Sequence, residues 1–417
     1  MEKKLRKVVD FAYKNSPFYN KLYNSIYNKE FSFVELPIIQ KSDICEQLLN
    51  VITENSYADL VVDALEKYTT SGSTGICMDV YWSKIDNNNS LLGLWYLRKK
   101  YYNISTNDLV CTFYSNRKIN GQEIKQMKVG NCLSFSKSNL DNSRIADIYI
   151  HIQQFKPKYI IIEPSIAVLL CDYIEMNNLN KIDSIQYMEL TGEFLLKSVK
   201  LRIEKIFGCK TANQYGAYEV NSIAYECPEG NMHVMESNVY IEIIDENKNV
   251  VQDGIEGEIC VTSLTNFTMP FIRYNIGDRG KICKGKCSCG NNSKIIKLTN
   301  GRNNDYIICE NGEKIHCSVF SKVIERINEK MHNVILQYQI HQKSYNYFIF
   351  DLTISEQIDM QYLIDLFKKN FDEERLFEIN IKFRFHDKLF PDDTSGKLCY
   401  FINEMDNINE KNYTKKN

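Results

Sequence analysis

Residues 185–216 read IQYMELTGEFLLKSVKLRIEKIFGCKTANQYG. An apolar run ends at Thr191-Gly192-Glu193, a helical stretch fills about 196–207, and a second extended run leads to Tyr215-Gly216. Strand, helix and strand in so short a span are the repeating unit of an α/β sheet. The same rhythm runs through the neighbouring sequence. DLVCTFY (108–114) and KYIIIEP (158–164) are further short apolar runs, and 84–101 reads as a helix. Toward the N-terminus, residues 1–60 read largely helical. Leu5, Val8, Val9 and Ala12 recur at helical spacing until Asn15-Ser16-Pro17 breaks the run. From about 239 the texture changes to alternating strands with turns at Asp245-Glu246-Asn247 and Asp253-Gly254, a β-rich subdomain. Past 301, VFSKVIERINE (319–329) and 360–373 read as helices, and VILQYQIHQ (334–342) and YFIFDLTI (347–354) as strands. The expected fold class is α/β. A large N-terminal domain of α/β and β-rich subdomains (1–300) precedes a small α+β C-terminal domain (303–417).

Composition narrows the function classes. The chain has 417 residues, too many for one simple domain. With 51 Lys and Arg against 53 Asp and Glu, the net charge is −2. A near-neutral chain has no global electrostatic reason to hold nucleic acid or an anionic membrane. No continuous apolar run has the length of a membrane helix; YIIIEPSIAVLL is broken by Glu163 and Pro164. The charged start MEKKLRKVVDFAYKN lacks the apolar core of a signal peptide. The 14 Cys are scattered, several in apolar runs (Cys111, Cys171, Cys260). Reduced, mostly buried thiols in a cytoplasmic protein are the expectation.

TTSGSTG (69–75) carries the strongest single signal. Gly72 and Gly75 free the backbone to turn its N–H groups inward. Thr69, Thr70, Ser71, Ser73 and Thr74 add hydroxyl donors, so the loop suits a phosphate. No GxxxxGK[ST] is present, which argues against a P-loop ATPase. Alone, the run is also compatible with a plain surface turn.

Further motifs follow in order: TGE (191–193), QYGAYE (214–219), RYNIGD (273–278), GRNND (301–305) and SGK (395–397). The series resembles the adenylate-forming superfamily of acyl-CoA synthetases and adenylation domains. NSPFYNKLY (15–23), LPIIQKSDI (36–44) and KPKYIIIEPS (156–165) make it similar to the phenylacetate–CoA ligase-like branch. The resemblance implies an ATP-dependent ligase. A carboxylic acid would attack the α-phosphorus of ATP, releasing pyrophosphate, and the acyl-adenylate would then pass to a thiol, with CoA as co-substrate. ATP and the acid would bind between the two domains.

The resemblance also implies roles. Thr69 to Gly75 would clasp the departing phosphates, and Gly192 and Glu193 belong to the nucleotide set. Glu219 matches the Mg²⁺ ligand, a single carboxylate acting with phosphate oxygens. Tyr215 and Gly216 match the adenine-stacking pair, followed by Ala217 and Tyr218. Asp278 matches the ribose acceptor, since two carboxylate oxygens suit a vicinal diol. Arg302 would assist near ribose or phosphate, and Arg273 reads as structural. Lys397 matches the catalytic lysine of the mobile cap, and Asp305 its hinge. Phe113, Tyr114 and Ala217 are candidates for the acid site, with an aromatic acid as the default by analogy. Three positions depart from the pattern. Tyr218 stands where Thr or Ser is usual, Ile76-Cys77-Met78-Asp79 lacks a lysine after the phosphate loop, and Leu398-Cys399 follows Lys397.

ECPEGNMHV (226–234) and KCSCG (286–290) present Cys227, His233, Cys287 and Cys289 beside tight turns. Two short ligand pairs from separate loops suit a closed tetrahedral Zn²⁺ site, which is structural and not catalytic. Cys283 is a spare thiol, and unpaired surface cysteines are the bland alternative. Other functional readings stay open. The acceptor could be a carrier-protein phosphopantetheine, an amine or a sugar, or the chain could bind nucleotide without turnover.

Overall fold

The computed structural model describes residues 1–27, 31–70, 77–115, 118–119, 122–302, 305–355, 358–373, 379–392 and 397–405, with the backbone alone at 118–119, 122–123, 300–302 and 372–373. The chain folds into two compact units. One joins Met1–Thr106 to Ala212–Thr299, the other Asn107–Thr211 to Asn300–Asn417.

The first unit begins with the helix Glu2–Asn15, which buries Leu5, Val8, Val9 and Ala12, the four residues expected from their spacing. It stops where Ser16 turns extended ahead of Pro17. Proline excludes its predecessor from helical geometry and then starts the next helix, Pro17–Tyr23. The helix Lys84–Tyr102 is capped by Ser83, whose hydroxyl accepts the Asp86 N–H at 3.1 Å, and it closes at Asn103 in the left-handed conformation. Antiparallel pairing dominates the rest. Val239–Ile244, Gly257–Ser263 and Tyr274–Cys283 lie side by side, as do Met232–Val234, Asn221–Glu226 and Lys210–Ala217. The core gathers Tyr19, Trp82, Val261, Phe271 and Tyr274. Arg273 is structural, as its reading had it. It is buried, its Nε donates to Glu242 at 3.1 Å, and its guanidinium also donates to the backbone carbonyls of Val34 and Leu36.

In the second unit the parallel strands Tyr187–Thr191, Tyr159–Ile162, Val110–Tyr114 and Cys132–Ser136 run in that order, and Gln126–Val129 adds an antiparallel edge. Such sheets bury both faces, and Ile160, Ile162, Met188 and Leu190 are almost inaccessible. Helices Asn142–Phe155, Pro164–Met176 and Lys197–Phe207 follow their strands. The C-terminal part is the expected α+β piece. Its strands are ordered Asn380–Phe385, Tyr347–Ile354, Ile335–Ser344, Phe401–Asn403. Helices Ser318–Lys330 and Met360–Glu373 accompany them, and Phe320, Phe350, Phe367 and Phe371 form an aromatic core. Ser198 Oγ donates to Ile335 O at 3.0 Å and Tyr400 Oη to Phe194 O at 3.0 Å, so this piece is bonded to residues 107–211 of the same unit. Among the described residues, no helix is long and apolar enough to cross a membrane.

Candidate active site and metal centre

In the first unit the phosphate-loop candidate Thr69 ends the strand Glu66–Thr69, which pairs with Asp79–Trp82, and Thr70 follows it. Ser71, Gly72, Ser73, Thr74 and Gly75 lie outside the described residues. At the foot of the loop, Thr69 Oγ1 donates to Asp79 at 2.7 Å, and Thr70 Oγ1 accepts the Met78 N–H at 3.0 Å and the Lys41 ammonium at 2.9 Å. Lys41 was missed in the sequence reading. Its signal was its place inside LPIIQKSDI, and it brings a cation to the loop that lacks its own lysine.

Tyr215 and Asp278, far apart in sequence, meet: the tyrosine hydroxyl donates to Asp278 Oδ2 at 2.8 Å. Gly216 sits at a register shift between the strands Lys210–Ala217 and Asn221–Glu226. A Cβ there would lie 2.5 Å from Asn221 O and 2.7 Å from Gln214 Nε2, closer than atoms can approach. Gly216→Ala is therefore expected to cost about 1–3 kcal/mol of stability, because backbone must shift to admit the methyl. A lowered melting temperature checks this, and an unchanged one refutes it. Glu219 is buried and accepts a hydrogen bond from Tyr274 Oη at 3.2 Å. Tyr218 stacks on Tyr68 with centroids 5.4 Å apart, and its carbonyl accepts the Trp82 indole N–H at 2.8 Å. Ala217 ends its strand beside them. The Arg302 side chain lies outside the described residues.

In the second unit Gly192 and Glu193 follow the strand Tyr187–Thr191. Gly192 has φ +84°, and a Cβ on it would lie 3.5 Å from Glu163 Oε1 and 3.8 Å from Lys397 Cε. Glu193 accepts the Ser165 N–H at 2.9 Å, the Ser165 hydroxyl at 2.7 Å and the Leu398 N–H at 2.8 Å. It thereby ties the residue after Lys397 to the N-terminus of the helix Pro164–Met176, where a carboxylate is favoured. Glu193 is half-buried as a residue, but its carboxyl is enclosed by these partners. Burial pushes the carboxyl up to about 7, against the Ser165 and Leu398 donors that pull it down.

A raised carboxyl favours the folded state while it is protonated. That contribution is full below its ordinary 4.5 and lost as the pH climbs through about 7. Glu193→Gln removes this dependence. An amide also sets an NH₂ against a backbone N–H, costing about 1–3 kcal/mol. Melting curves between pH 5 and 8 should be flatter and lower for the variant. A pH slope unchanged from wild type would refute the assignment.

Phe113 and Tyr114 end their parallel strand. Phe113 contacts Phe135 with centroids 5.6 Å apart, and Tyr114 Oη donates to Ile124 O at 2.6 Å. Asp305 accepts the Cys317 N–H through its backbone carbonyl at 2.8 Å.

Cys227, His233, Cys287 and Cys289 converge, their ligand atoms all within 4.8 Å of one another. Cys227 Sγ and Cys287 Sγ are 3.7 Å apart, and Cys289 Sγ lies 3.3 Å from His233 Nε2. A tetrahedron with Zn–S bonds of about 2.3 Å has an S···S edge of about 3.8 Å, so the spacing fits zinc. His233 Nδ1 is 3.2 Å from Ser293 O, which can only accept. That nitrogen carries the proton and leaves the Nε2 lone pair facing the sulfurs, the arrangement an outer-shell carbonyl imposes on a metal-bound imidazole. Asn231 Nδ2 (3.2 Å) and the Asn291 N–H (3.4 Å) donate to the Cys287 and Cys289 sulfurs. All fourteen cysteines are unbridged.

Against known proteins, no family model matches the chain. It is 24% identical to Protein CapK of Staphylococcus aureus over 416 residues, covering 95% of this chain and 87% of that one. It is 26% identical over 195 residues to the phenylacetate–coenzyme A ligase of Thermus thermophilus, and 30% identical over 163 residues to that of Aromatoleum evansii. These two matches cover 45% and 38% of this chain, and the chain spans only 43% and 36% of the two ligases. The solved 2-hydroxyisobutyryl-CoA ligase with R3-HIB-AMP superposes with a TM-score of 0.72 at 16% identity, over 99% of this chain and 90% of that one. The chain thus shares the fold of that ligase, and stretches of its sequence are similar to phenylacetate–coenzyme A ligases. The α/β fold class and the resemblance read from the motifs are thus borne out.

Proposed function

We propose that the chain is an AMP-forming acid–thiol ligase. It activates a carboxylic acid with ATP, releases pyrophosphate and passes the acyl group to a thiol, with CoA as the acceptor. The observation that carries the reading is the 2.8 Å bond between Tyr215 and Asp278. The residues that the resemblance assigns to adenine and to ribose touch each other. In this reading Tyr215 stacks on the base, and Asp278 accepts from the ribose. Thr69 to Gly75 hold the β- and γ-phosphates with Lys41 behind them. The first step is an in-line displacement: a carboxylate oxygen bonds to the α-phosphorus as the bond to pyrophosphate breaks. Positioning and charge neutralisation do most of the work.

Glu219 would hold Mg²⁺, a hard cation that takes carboxylate and phosphate oxygens and neutralises the phosphates when bound. Glu219→Gln is expected to raise the Mg-ATP requirement about tenfold or more while folding is retained, since Tyr274 can still donate to the amide oxygen. A magnesium titration of ATP–pyrophosphate exchange checks this, and an unshifted curve refutes it. The cysteine–histidine quartet would hold structural Zn²⁺. Unbridged thiols fit a reducing compartment, and we place the protein in the cytoplasm. The division into a nucleotide-binding part (1–300) and a cap (303–417) turning near Asp305 belongs to the same proposal.

Acid-dependent exchange of labelled pyrophosphate into ATP tests the first step, screened across aromatic, aliphatic, hydroxy and amino acids. No exchange with any acid would leave a nucleotide binder without turnover. Adding CoA, a phosphopantetheine carrier, an amine or a sugar to preformed adenylate decides the acceptor.

A further inference from the structure

We infer that the acid activated by this chain carries a hydroxyl group near its carboxyl, and that the buried Lys137–Glu163 pair selects it. The inference rests on the proposed adenylation and names its substrate class. Lys137 is the first residue after the strand Cys132–Ser136, and Glu163 the first after Tyr159–Ile162. Gly192 follows Tyr187–Thr191 in the same way. In parallel α/β sheets ligands bind outside these carboxyl ends.

The Lys137 ammonium is bonded to Glu163 Oε1, with the two side chains only 10% and 8% exposed. Burying both charges costs several kcal/mol per ion, and an apolar pair of equal volume would serve packing as well or better. Packing therefore does not account for the pair, and its position does. Glu163 Oε1 and Lys397 Cε both lie within 4 Å of the same point, the place of a Cβ on Gly192. The pair thus faces the lysine assigned to the reacting carboxylate. Beside it, Ser138 is 6% exposed, and its hydroxyl, shielded from solvent, has no hydrogen-bond partner among the described residues. Tyr23, Ser184, Ser222 and Thr353 also hold unpartnered buried hydroxyls, but this one stands directly after Lys137 at the carboxyl end of its strand, where a ligand could satisfy it.

The pair is net neutral and offers one donor and one acceptor side by side. A hydroxyl matches both: it accepts from the ammonium and donates to the carboxylate. A substrate ammonium would bring an uncompensated charge. A bare alkyl or aryl group would leave Lys137, Glu163 and Ser138 desolvated without a partner, which a site of this kind rejects strongly.

The test is pyrophosphate exchange on matched acids: propionate with lactate, isobutyrate with 2-hydroxyisobutyrate, and phenylacetate with mandelate. Wild type should prefer at least one hydroxylated member over its parent by about 100-fold or more in kcat/KM. In the double variant Lys137→Met with Glu163→Leu, that ratio should fall toward one while the melting temperature holds or rises. Ser138→Ala, a milder change that keeps the fold, should lower the ratio of kcat/KM for the hydroxy acid to that for its parent. Equal use of the parent acids by wild type, or a ratio unmoved by both variants, overturns the inference and leaves adenylation standing. Absence of exchange with every acid overturns both.

Discussion

Lys397→Ala should cut acid-dependent pyrophosphate exchange by about three orders of magnitude, a loss of roughly 4 kcal/mol of transition-state stabilisation. The apparent affinity for ATP should change little. The split follows from where charge develops. As the carboxylate oxygen approaches the α-phosphorus, negative charge concentrates on the oxygens around that atom. A compact ammonium on a flexible stem interacts more strongly with them there than in the ground state. The β- and γ-phosphates, which contribute much of the ground-state affinity, belong in this reading to the Thr69–Gly75 loop and Lys41.

The fold supplies Lys397 with a fixed root. The next residue, Leu398, donates its N–H to Glu193 at 2.8 Å, and Glu193 is itself bound to Ser165. Losing the ammonium leaves that anchor intact, so the variant should melt with wild type. Lys397→Arg, with a broader and differently directed head, should recover only part of the rate. An unaltered exchange rate for Lys397→Ala refutes the role. A matching loss of ATP affinity would make the lysine a ground-state binder.

What the sequence made legible and what it hid divide along physical lines. The helix Glu2–Asn15 and its stop were readable because a helical stripe and a proline act locally. The motifs of Tyr215 and Asp278 could be read as one series because they occur in a set order, although nothing in their neighbours says that the two residues touch. Other pairings stayed hidden. Lys41, at a helix start, finds Thr70 across twenty-nine residues, and Lys137 finds Glu163 through the order of strands in space. A lysine in a loop looks the same in sequence whether it is solvated or buried. Glu193 drew notice only as the end of the motif TGE. Its bonds to Ser165 and Leu398 depend on a helix start and a C-terminal segment that TGE does not encode.

Removing zinc should give the largest stability effect. Freshly purified protein is expected to contain about one zinc per chain. Cys287→Ser should lower zinc content and melting temperature together, by roughly 10 °C for the loss of several kcal/mol. The four ligands explain the size. Cys227 and His233 flank the turn at 228–232, and Cys287 and Cys289 sit on a second loop some sixty residues on. A metal joining them closes a long loop in the folded chain only, so its binding free energy adds to folding. Without an ion the four groups repel or share protons. Burial pushes the Cys227 thiol up to about 12, whereas a backbone N–H from Cys289 holds Cys287 down at about 6. Bound zinc would be held by the three sulfurs as thiolates, which would remove that conflict. The quartet lies in the first unit on the loops beyond the Tyr215–Glu219 segment, and no reacting atom is assigned to it. Exchange activity per folded molecule should therefore survive the substitution at temperatures well below the melt. Metal analysis that finds no zinc, or a Cys287→Ser variant that melts with wild type, removes the staple.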